Sequence, residues 1–99
     1  MAFENLVGLF VIDDIGYQNY RKAMMPILHQ YGGRFGYDLK IAEVLKSEVD
    51  NHINRVFTIR FPDKATMKAF FKDEAYLSVR KQYFEPAVTD VTIMAAYHI

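Results

Sequence analysis

The chain has 99 residues, 52% of them hydrophobic and 15% aromatic, with twelve basic and twelve acidic side chains and no cysteine. This composition predicts one folded domain over residues 1–99 and excludes a disordered chain, a disulfide framework and a cysteine-ligated metal. The zero net charge argues against nucleic acid as a partner, and no apolar run approaches the ~20 residues of a membrane span. The first residues lack the basic and apolar regions of an export signal, so we expect a cytoplasmic protein without a membrane partner.

The first third of the chain predicts a strand followed by a helix. Leu6–Ile12 is apolar except for one glycine and ends at Asp13-Asp14, which is typical of a strand covered on both faces. Either aspartate can cap a helix that continues to Tyr31. Pro26 inside this helix predicts a kink, and Gly32-Gly33 predicts its end. The apolar stripe of the helix consists of Tyr17, Tyr20, Met24, Ile27, Leu28 and Tyr31.

The middle of the chain predicts two more strands joined by a polar connection, Lys46–Asn54. Phe35–Leu45 alternates, with Tyr37, Leu39 and Ile41 on one face and Asp38, Lys40 and Ala42 on the other. Arg55–Phe61 alternates as well, with Phe57, Ile59 and Phe61 on one face. The same alternation places Arg55 and Arg60 on opposite faces, so at most one of them can point into the interior.

The last third predicts helical segments and a final strand. Asp63 is placed to cap a helix that reaches Phe71, and a break near Asp73 separates it from a short helical piece, Ala75–Tyr83. Glu85-Pro86 is expected to close that piece. The final strand, Val88–Tyr97, is expected to place Val91, Ile93, Ala95 and Tyr97 on one side.

The predicted order is β-α-β-β-α-β, which is the α+β, ferredoxin-like arrangement of a four-stranded antiparallel sheet with helices on one face. The helices leave the second face uncovered, yet the first strand is apolar on both sides. An exposed apolar sheet of this extent would associate with other apolar surfaces, so something must cover it. We therefore expect a homodimer in which two sheets pack face to face.

A pattern of residues runs through both halves of the chain. Its first half consists of Asp13, Tyr17, Tyr20, Pro26 and the run Tyr31-Gly32-Gly33-Arg34-Phe35, and its second half of Arg55, Phe61-Pro62, Phe70-Phe71, Tyr76 and Arg80. In this order the pattern resembles the domain-of-unknown-function thirteen-thirty family, which belongs to the dimeric α/β-barrel superfamily. The chain differs from the family pattern at Lys46, where a Glu is usual, and at Asp73, where a Ser is usual.

The resemblance implies a dimeric α/β barrel whose cleft between sheet and helices takes small molecules. It implies no agreed activity for the family itself. The wider superfamily includes cofactor-independent monooxygenases, haem-degrading enzymes, muconolactone isomerases and ligand-sensing domains, and these suggest function only by analogy of fold.

Candidate catalytic residues are His29 and Tyr20. His29 lies within a turn of Gly32-Gly33 and is suited to acid–base chemistry. Alternatively, it is an ordinary surface histidine whose partial positive charge interacts favourably with the dipole at the end of the helix. The three histidines show no spacing typical of a metal site, so we predict neither a metal nor a cofactor.

Candidate ligand-binding residues are Arg34, Tyr17, Tyr31 and Arg80. A guanidinium after two glycines, as at Arg34, is suited to a carboxylate or an enolate; alternatively it forms an ion pair that holds the turn. The tyrosines either orient a ligand or belong to the core. Arg80 either reaches the cleft or pairs with Glu43 or Glu74.

Three functions stay open at this point. The favoured hypothesis is a small homodimeric protein that binds a small anionic or aromatic molecule in the helix–sheet cleft. The first alternative is a cofactor-independent monooxygenase or isomerase, in which Arg34 would stabilise an enolate and His29 or Tyr20 would transfer the proton. The second alternative is a non-catalytic interaction module. Whether the protein is an enzyme is left undecided by the sequence.

Overall fold

The computed structural model describes residues 1–99 and contains four strands and a set of helical segments. The strands are β1 (Phe3–Val11), β2 (Arg34–Lys40), β3 (Arg55–Phe61) and β4 (Val88–His98). The helices are α1 (Asp14–Gln30), α2 (Lys64–Lys72), α3 (Glu74–Val79) and the single turn α4 (Glu85–Ala87), with a π-helical turn (Arg80–Phe84) between the last two. No helix combines the length and the apolar character that crossing a lipid bilayer requires.

The four strands form one antiparallel sheet in the order β2-β3-β1-β4. Together with the order of elements along the chain, this confirms the predicted α+β, ferredoxin-like fold. The helices pack on one face, called the inner face below. The core between this face and the helices consists of Val7, Leu9, Val11, Tyr17, Tyr20, Met24, Leu28, Phe57, Ile59, Phe61, Phe70, Tyr76, Phe84, Ala87 and Val88.

Helix α1 begins and ends as its sequence predicts. The Asp13 carboxylate accepts a hydrogen bond from the Gly16 N–H at 3.0 Å, which satisfies one of the free donors of the first turn. At the other end the Gly32 N–H and the Gly33 N–H donate to the carbonyls of His29 and Leu28, and Gly32 adopts a φ of +70°. This Schellman motif turns the chain back toward the sheet. Pro26 lies inside the helix, which continues past it to Gln30.

The helical segments after β3 differ from the prediction at one end. Asp63 and Asp73 cap α2 and α3, as expected, by accepting hydrogen bonds from the Thr66 N–H and the Tyr76 N–H. The piece that Glu85-Pro86 was expected to close instead continues to Ala87. The helical run thus ends one residue beyond Pro86, where β4 begins at Val88.

Strand β2 is shorter than predicted. It ends at Lys40, and residues 41–54 form an irregular segment that includes the predicted polar connection. The Ile41 N–H donates to the Asn54 carbonyl at 2.9 Å and closes this segment at the point where β3 begins. A bulge between Phe35 and Asp38 keeps both of these residues on the inner face, while Tyr37 and Leu39 lie on the opposite, outer face.

The predicted face of the last residues of β4 was wrong. These residues were expected on one side together, but Ile93 pairs with Val7 on the inner face whereas Ala95 pairs with Leu6, because a bulge inserts one residue between the two pairs. The extra residue reverses the alternation, so that Tyr97 lies on the outer face. There its hydroxyl donates a hydrogen bond to the Glu4 carboxylate, which also accepts one from the Arg60 Nε–H.

The outer face of the sheet combines apolar side chains with charged ones such as Glu4 and Arg60, and no helix covers it. The irregular segment covers part of it, since Ile53 packs over Gly8 and the His52 ring lies 5.3 Å from the Phe10 ring between centroids. Leu6 and Phe10 of β1 and Val56 of β3 are half-buried there, and Leu39 and Met94 are exposed. This confirms the sequence observation that the first strand is apolar on both sides. A surface of this kind is rare on soluble monomers.

Candidate functional site

A cleft of about 430 Å³ lies between the inner face of the sheet and the helices α1, α2 and α3 with the π-helical turn. Fourteen of its sixteen lining residues are hydrophobic, and the other two are Asn5 and Arg80. The lining consists of Asn5, Val7, Leu9, Tyr20, Met24, Phe35, Phe57, Ile59, Met67, Phe71, Tyr76, Leu77, Arg80, Phe84, Val91 and Ile93. Sites for small molecules typically have this size and this balance of apolar and polar groups.

The cleft opens to solvent between α3 and the edge strand β4. Leu77 of α3 is 44% exposed, and Val91 and Ile93 of β4 are 42% and 58% exposed, although all three side chains line the cavity. Apolar side chains at the edge of a cavity stay exposed only where nothing covers them. A molecule entering the cleft would therefore pass between these three residues.

A pair of tyrosines supplies hydroxyl groups to the cleft. Tyr20 of α1 and Tyr76 of α3 place their oxygens 2.9 Å apart, and either hydroxyl can be the donor of the hydrogen bond between them. Both residues are buried, and the Tyr20 ring also packs on Phe84 with 4.9 Å between ring centroids. Burial, with a smaller contribution from the neighbouring Tyr76, raises the pKa of Tyr20 far above its ordinary value. Tyr20 is therefore a hydrogen-bond donor at neutral pH and not a base.

The single charged side chain of the cleft is Arg80. Its guanidinium carbon lies 4.7 Å from the centroid of the Phe84 ring, a cation–π contact within the π-helical turn. None of the ion pairs of the structure includes Arg80, and the predicted partners Glu43 and Glu74 do not contact it. The turn closes through a hydrogen bond from the Glu85 N–H to the Arg80 carbonyl, and π-helical turns are frequent at functional sites.

Asn5 is a cleft residue that sequence reasoning missed. Its amide nitrogen lies 3.2 Å from the sulfur of Met67, a weak acceptor, and its amide oxygen makes no hydrogen bond within the chain. The predicted strand began at Leu6 and so omitted this residue. Extending the alternation of Val7, Leu9 and Val11 backwards places Asn5 on the inner face, and this signal was available in the sequence.

Two of the predicted tyrosines make structural contacts outside the cleft. Tyr17 is fully buried beneath Arg55, whose guanidinium carbon lies 4.7 Å from the centroid of the ring, and burial raises its pKa to about 12. The Tyr31 hydroxyl donates to the Asp73 carboxylate at 2.7 Å and joins the end of α1 to the start of α3. This hydrogen bond raises the pKa of Tyr31.

Arg34 and His29 also lie away from the cleft. Arg34 pairs with Arg60 across the sheet, so its side chain is on the outer face, where it is exposed. His29 is exposed in the last turn of α1. Of the predicted site residues, the structure therefore brings together Tyr20 and Arg80. No cluster of three or more His, Cys, Asp or Glu side chains is suited to a metal ion.

The remaining arginines have carboxylate partners. Arg55 lies on the inner face and Arg60 on the outer face, as the alternation predicts. Arg55 contacts the Asp38 carboxylate at 3.1 Å, and Arg21 of α1 binds the same carboxylate. Arg60 contacts Glu4 at 3.3 Å. The Asp38 pairs connect β2, β3 and α1, the Glu4 pair connects β1 and β3, and none of these side chains lines the cleft.

The chain matches the model of the family described as "Domain of unknown function (DUF1330)" over residues 6–97. This match confirms the resemblance found in the sequence. None of the curated proteins compared with the chain matches it.

Solved structures share the fold. A protein of unknown function from Rhodopseudomonas palustris aligns with 97% of this chain and 80% of its own, at 18% identity and a TM-score of 0.77. A dimeric ferredoxin-like protein of unknown function from Bacteroides fragilis aligns with 99% of this chain and 96% of its own, at 10% identity and a TM-score of 0.64. SnoaB, a cofactor-independent oxygenase from Streptomyces nogalater, aligns with 99% and 90%, at 10% identity and a TM-score of 0.57. Identities this low show a common fold alone.

Proposed function

The chain belongs to the DUF1330 family, and we propose that it is a homodimer that binds a small anionic or aromatic molecule in the cleft of each subunit. The observation that carries the proposal is the cleft itself. It is a cavity of about 430 Å³ with apolar walls, and it holds two buried hydroxyls and a guanidinium that has no acidic partner. The cleft opens to solvent between α3 and β4, so a small molecule can reach these groups.

Binding is favoured over turnover because of the groups that face the cleft. Tyr20 and Tyr76 supply hydroxyl donors and Arg80 supplies a guanidinium, so all three stabilise negative charge on a ligand. A monooxygenase or isomerase of the predicted kind also needs a base that removes a proton. His29, the candidate for that role, is exposed on α1 and lies outside the cleft lining.

Ligand binding is tested by a thermal-shift screen of small carboxylates and aromatic compounds. Ile93→Trp fills the mouth of the cleft, and Ile15→Trp adds the same ring to an exposed position of α1 as a matched control. We expect compounds that raise the Tm of the wild type and of Ile15→Trp but not that of Ile93→Trp. A screen without such compounds would favour the alternative of a non-catalytic interaction module.

The homodimer is supported by the apolar side chains on the outer face of the sheet. Leu39 and Met94 are exposed there beside the half-buried Leu6 and Phe10, and face-to-face packing of two sheets buries such a surface. A solved relative of the same fold is described as dimeric. The same patch on two copies is self-complementary, which is the usual geometry of a two-fold dimer.

The assembly is tested by sedimentation velocity at micromolar concentration. The double variant Leu39→Glu, Met94→Glu places two like charges on the outer face and is expected to be monomeric, because dimerisation would bury its carboxylates without a partner of opposite charge. Ile15→Glu, on the helical side of the molecule, is the matched control and is expected to sediment as a dimer. A wild-type protein that sediments as a monomer would refute the proposed assembly.

A further inference from the structure

We propose that the ligand of the cleft is a flat, mainly apolar monoanion whose charged group binds between Arg80 and the Tyr20–Tyr76 hydroxyl pair. The inference rests on the proposed function, because it names the chemical class of the molecule that the cleft takes. Three observations carry it. One hydroxyl hydrogen of the tyrosine pair has no protein acceptor, the single charge in the cleft is the positive charge of Arg80, and the remaining walls are aromatic and aliphatic.

The first observation concerns the hydrogens of the tyrosine pair. One hydroxyl hydrogen is used in the bond between Tyr20 and Tyr76, and neither oxygen makes another hydrogen bond within the chain. The second hydroxyl hydrogen is therefore a donor without a protein acceptor. Both side chains are at least nine-tenths buried, so this donor is held away from bulk water. A buried donor of this kind is satisfied when a ligand oxygen accepts from it.

The second observation concerns charge. Among the five arginines of the chain, Arg80 is the one that is half-buried without a carboxylate partner. Arg34, which is also unpaired, is exposed on the outer face. The other three are paired, Arg21 and Arg55 with Asp38 and Arg60 with Glu4. No carboxylate lines the cleft, so its formal charge is that of Arg80 alone, and one negative charge on the ligand balances it.

The third observation is the size and character of the walls. An apolar cavity of about 150 Å³ holds a benzene molecule. By that measure the cleft, at about 430 Å³, has room for fewer than three such rings. The charged group of the ligand would occupy part of this volume. Phe35, Phe57 and Phe71 line the cavity, and aromatic rings pack well against the face or the edge of a flat aromatic molecule. A dianion such as a phosphate monoester has no second cation to bind here.

The test is calorimetric titration at neutral pH with 2-naphthoate, its neutral isostere 2-naphthamide, and naphthalene. The naphthoate is expected to bind the wild type about tenfold to a hundredfold more tightly than the amide, which is the usual worth of a charged hydrogen bond. Arg80→Met keeps an apolar stem of similar length and is expected to abolish that preference. Arg34→Met removes the unpaired arginine of the other face and is the matched control.

The outcomes separate the inference from the proposed function. Equal affinity for the naphthoate and the amide in the wild type, or a preference that survives in Arg80→Met, would overturn the inference while the cleft still binds small molecules. Failure of all three compounds to bind would overturn the proposed function as well. Tyr76→Phe offers a second variant: loss of its hydroxyl leaves the charge intact and is expected to weaken naphthoate binding about threefold to tenfold. The wild-type comparison needs no variant to fold.

Discussion

The hydroxyl pair of Tyr20 and Tyr76 makes a prediction about stability that distinguishes a coupled pair from two independent side chains. Phenylalanine at either position keeps the ring and removes the oxygen alone. The two oxygens lie 2.9 Å apart and are surrounded by apolar rings. The Phe84 ring lies 4.9 Å from the Tyr20 ring, and the Phe70 ring lies 4.4 Å from the Tyr76 ring, between centroids. Loss of one oxygen therefore leaves the other without a protein partner.

The expected magnitude follows from this environment. A buried polar group that loses its hydrogen-bond partner costs about 1–3 kcal/mol, whereas replacing both partners by apolar groups of the same shape is nearly neutral. Tyr76 is 1% exposed and Tyr20 5%, so solvent satisfies neither oxygen well. We expect Tyr20→Phe and Tyr76→Phe each to lower the free energy of unfolding by about 1–2 kcal/mol. We expect the double variant to lie within about 1 kcal/mol of the wild type.

The assay is urea denaturation of the wild type, the two single variants and the double variant at one protein concentration, because the stability of the proposed dimer would depend on concentration. Tyr83→Phe is the matched control, since the Tyr83 ring is half-buried and its hydroxyl makes no hydrogen bond within the chain. Additive losses in the double variant would refute the reasoning, because they would show that each hydroxyl acts on its own.

Three further predictions concern the core, the end of α1 and alkaline pH. Phe70→Ala is expected to lower the free energy of unfolding by about 3–5 kcal/mol, because Phe70 is fully buried against Tyr76. A loss below about 1 kcal/mol in urea denaturation would contradict this and show that neighbouring side chains fill the cavity. Gly32→Ala is expected to lower the free energy of unfolding by about 1–2 kcal/mol in the same assay, since the φ of +70° is unfavourable for a residue with a Cβ. An unchanged stability would show that the end of α1 does not require glycine at this position. Stability is expected to fall as the pH rises above 10, because the pKa of Tyr17 is about 12 in the folded chain and 10.0 in the unfolded one, so the unfolded chain loses its proton first. The slope from this residue is about 1.4 kcal/mol per pH unit between these values, and Tyr17→Phe is expected to flatten the profile by that amount; identical profiles would refute the assignment.

Much of the fold is predictable from short-range patterns. The alternation of Phe57, Ile59 and Phe61 is enough to place β3 and its inner face, and Gly32-Gly33 is enough to end α1. Asp13, Asp63 and Asp73 cap the helices that follow them, because a carboxylate at that position satisfies the free N–H groups of the first turn. These features depend on neighbours within a few residues, so the amino-acid pattern contains them.

The candidate site is predictable only in part. Tyr20 belongs to the stripe of α1 and Arg80 follows Tyr76 by about one turn, and both reach the cleft. Arg34 and His29 were singled out for their place beside the two glycines, but β2 presents Arg34 to the outer face and α1 presents His29 to solvent. Closeness along the chain does not decide which side of a sheet a side chain occupies.

The sequence by itself determined the class of fold, the order of its elements, the polarity of the two sheet faces and the family, because these follow from periodicity, capping and motifs that are local. Only the tertiary structure decided which side chains meet. The bulge in β4 moved Tyr97 to the outer face, and packing of α1 against α3 brought the hydroxyls of Tyr20 and Tyr76 together across 56 positions of the chain. Each of these depends on contacts between distant segments, and such contacts are defined once the elements have packed around a common core.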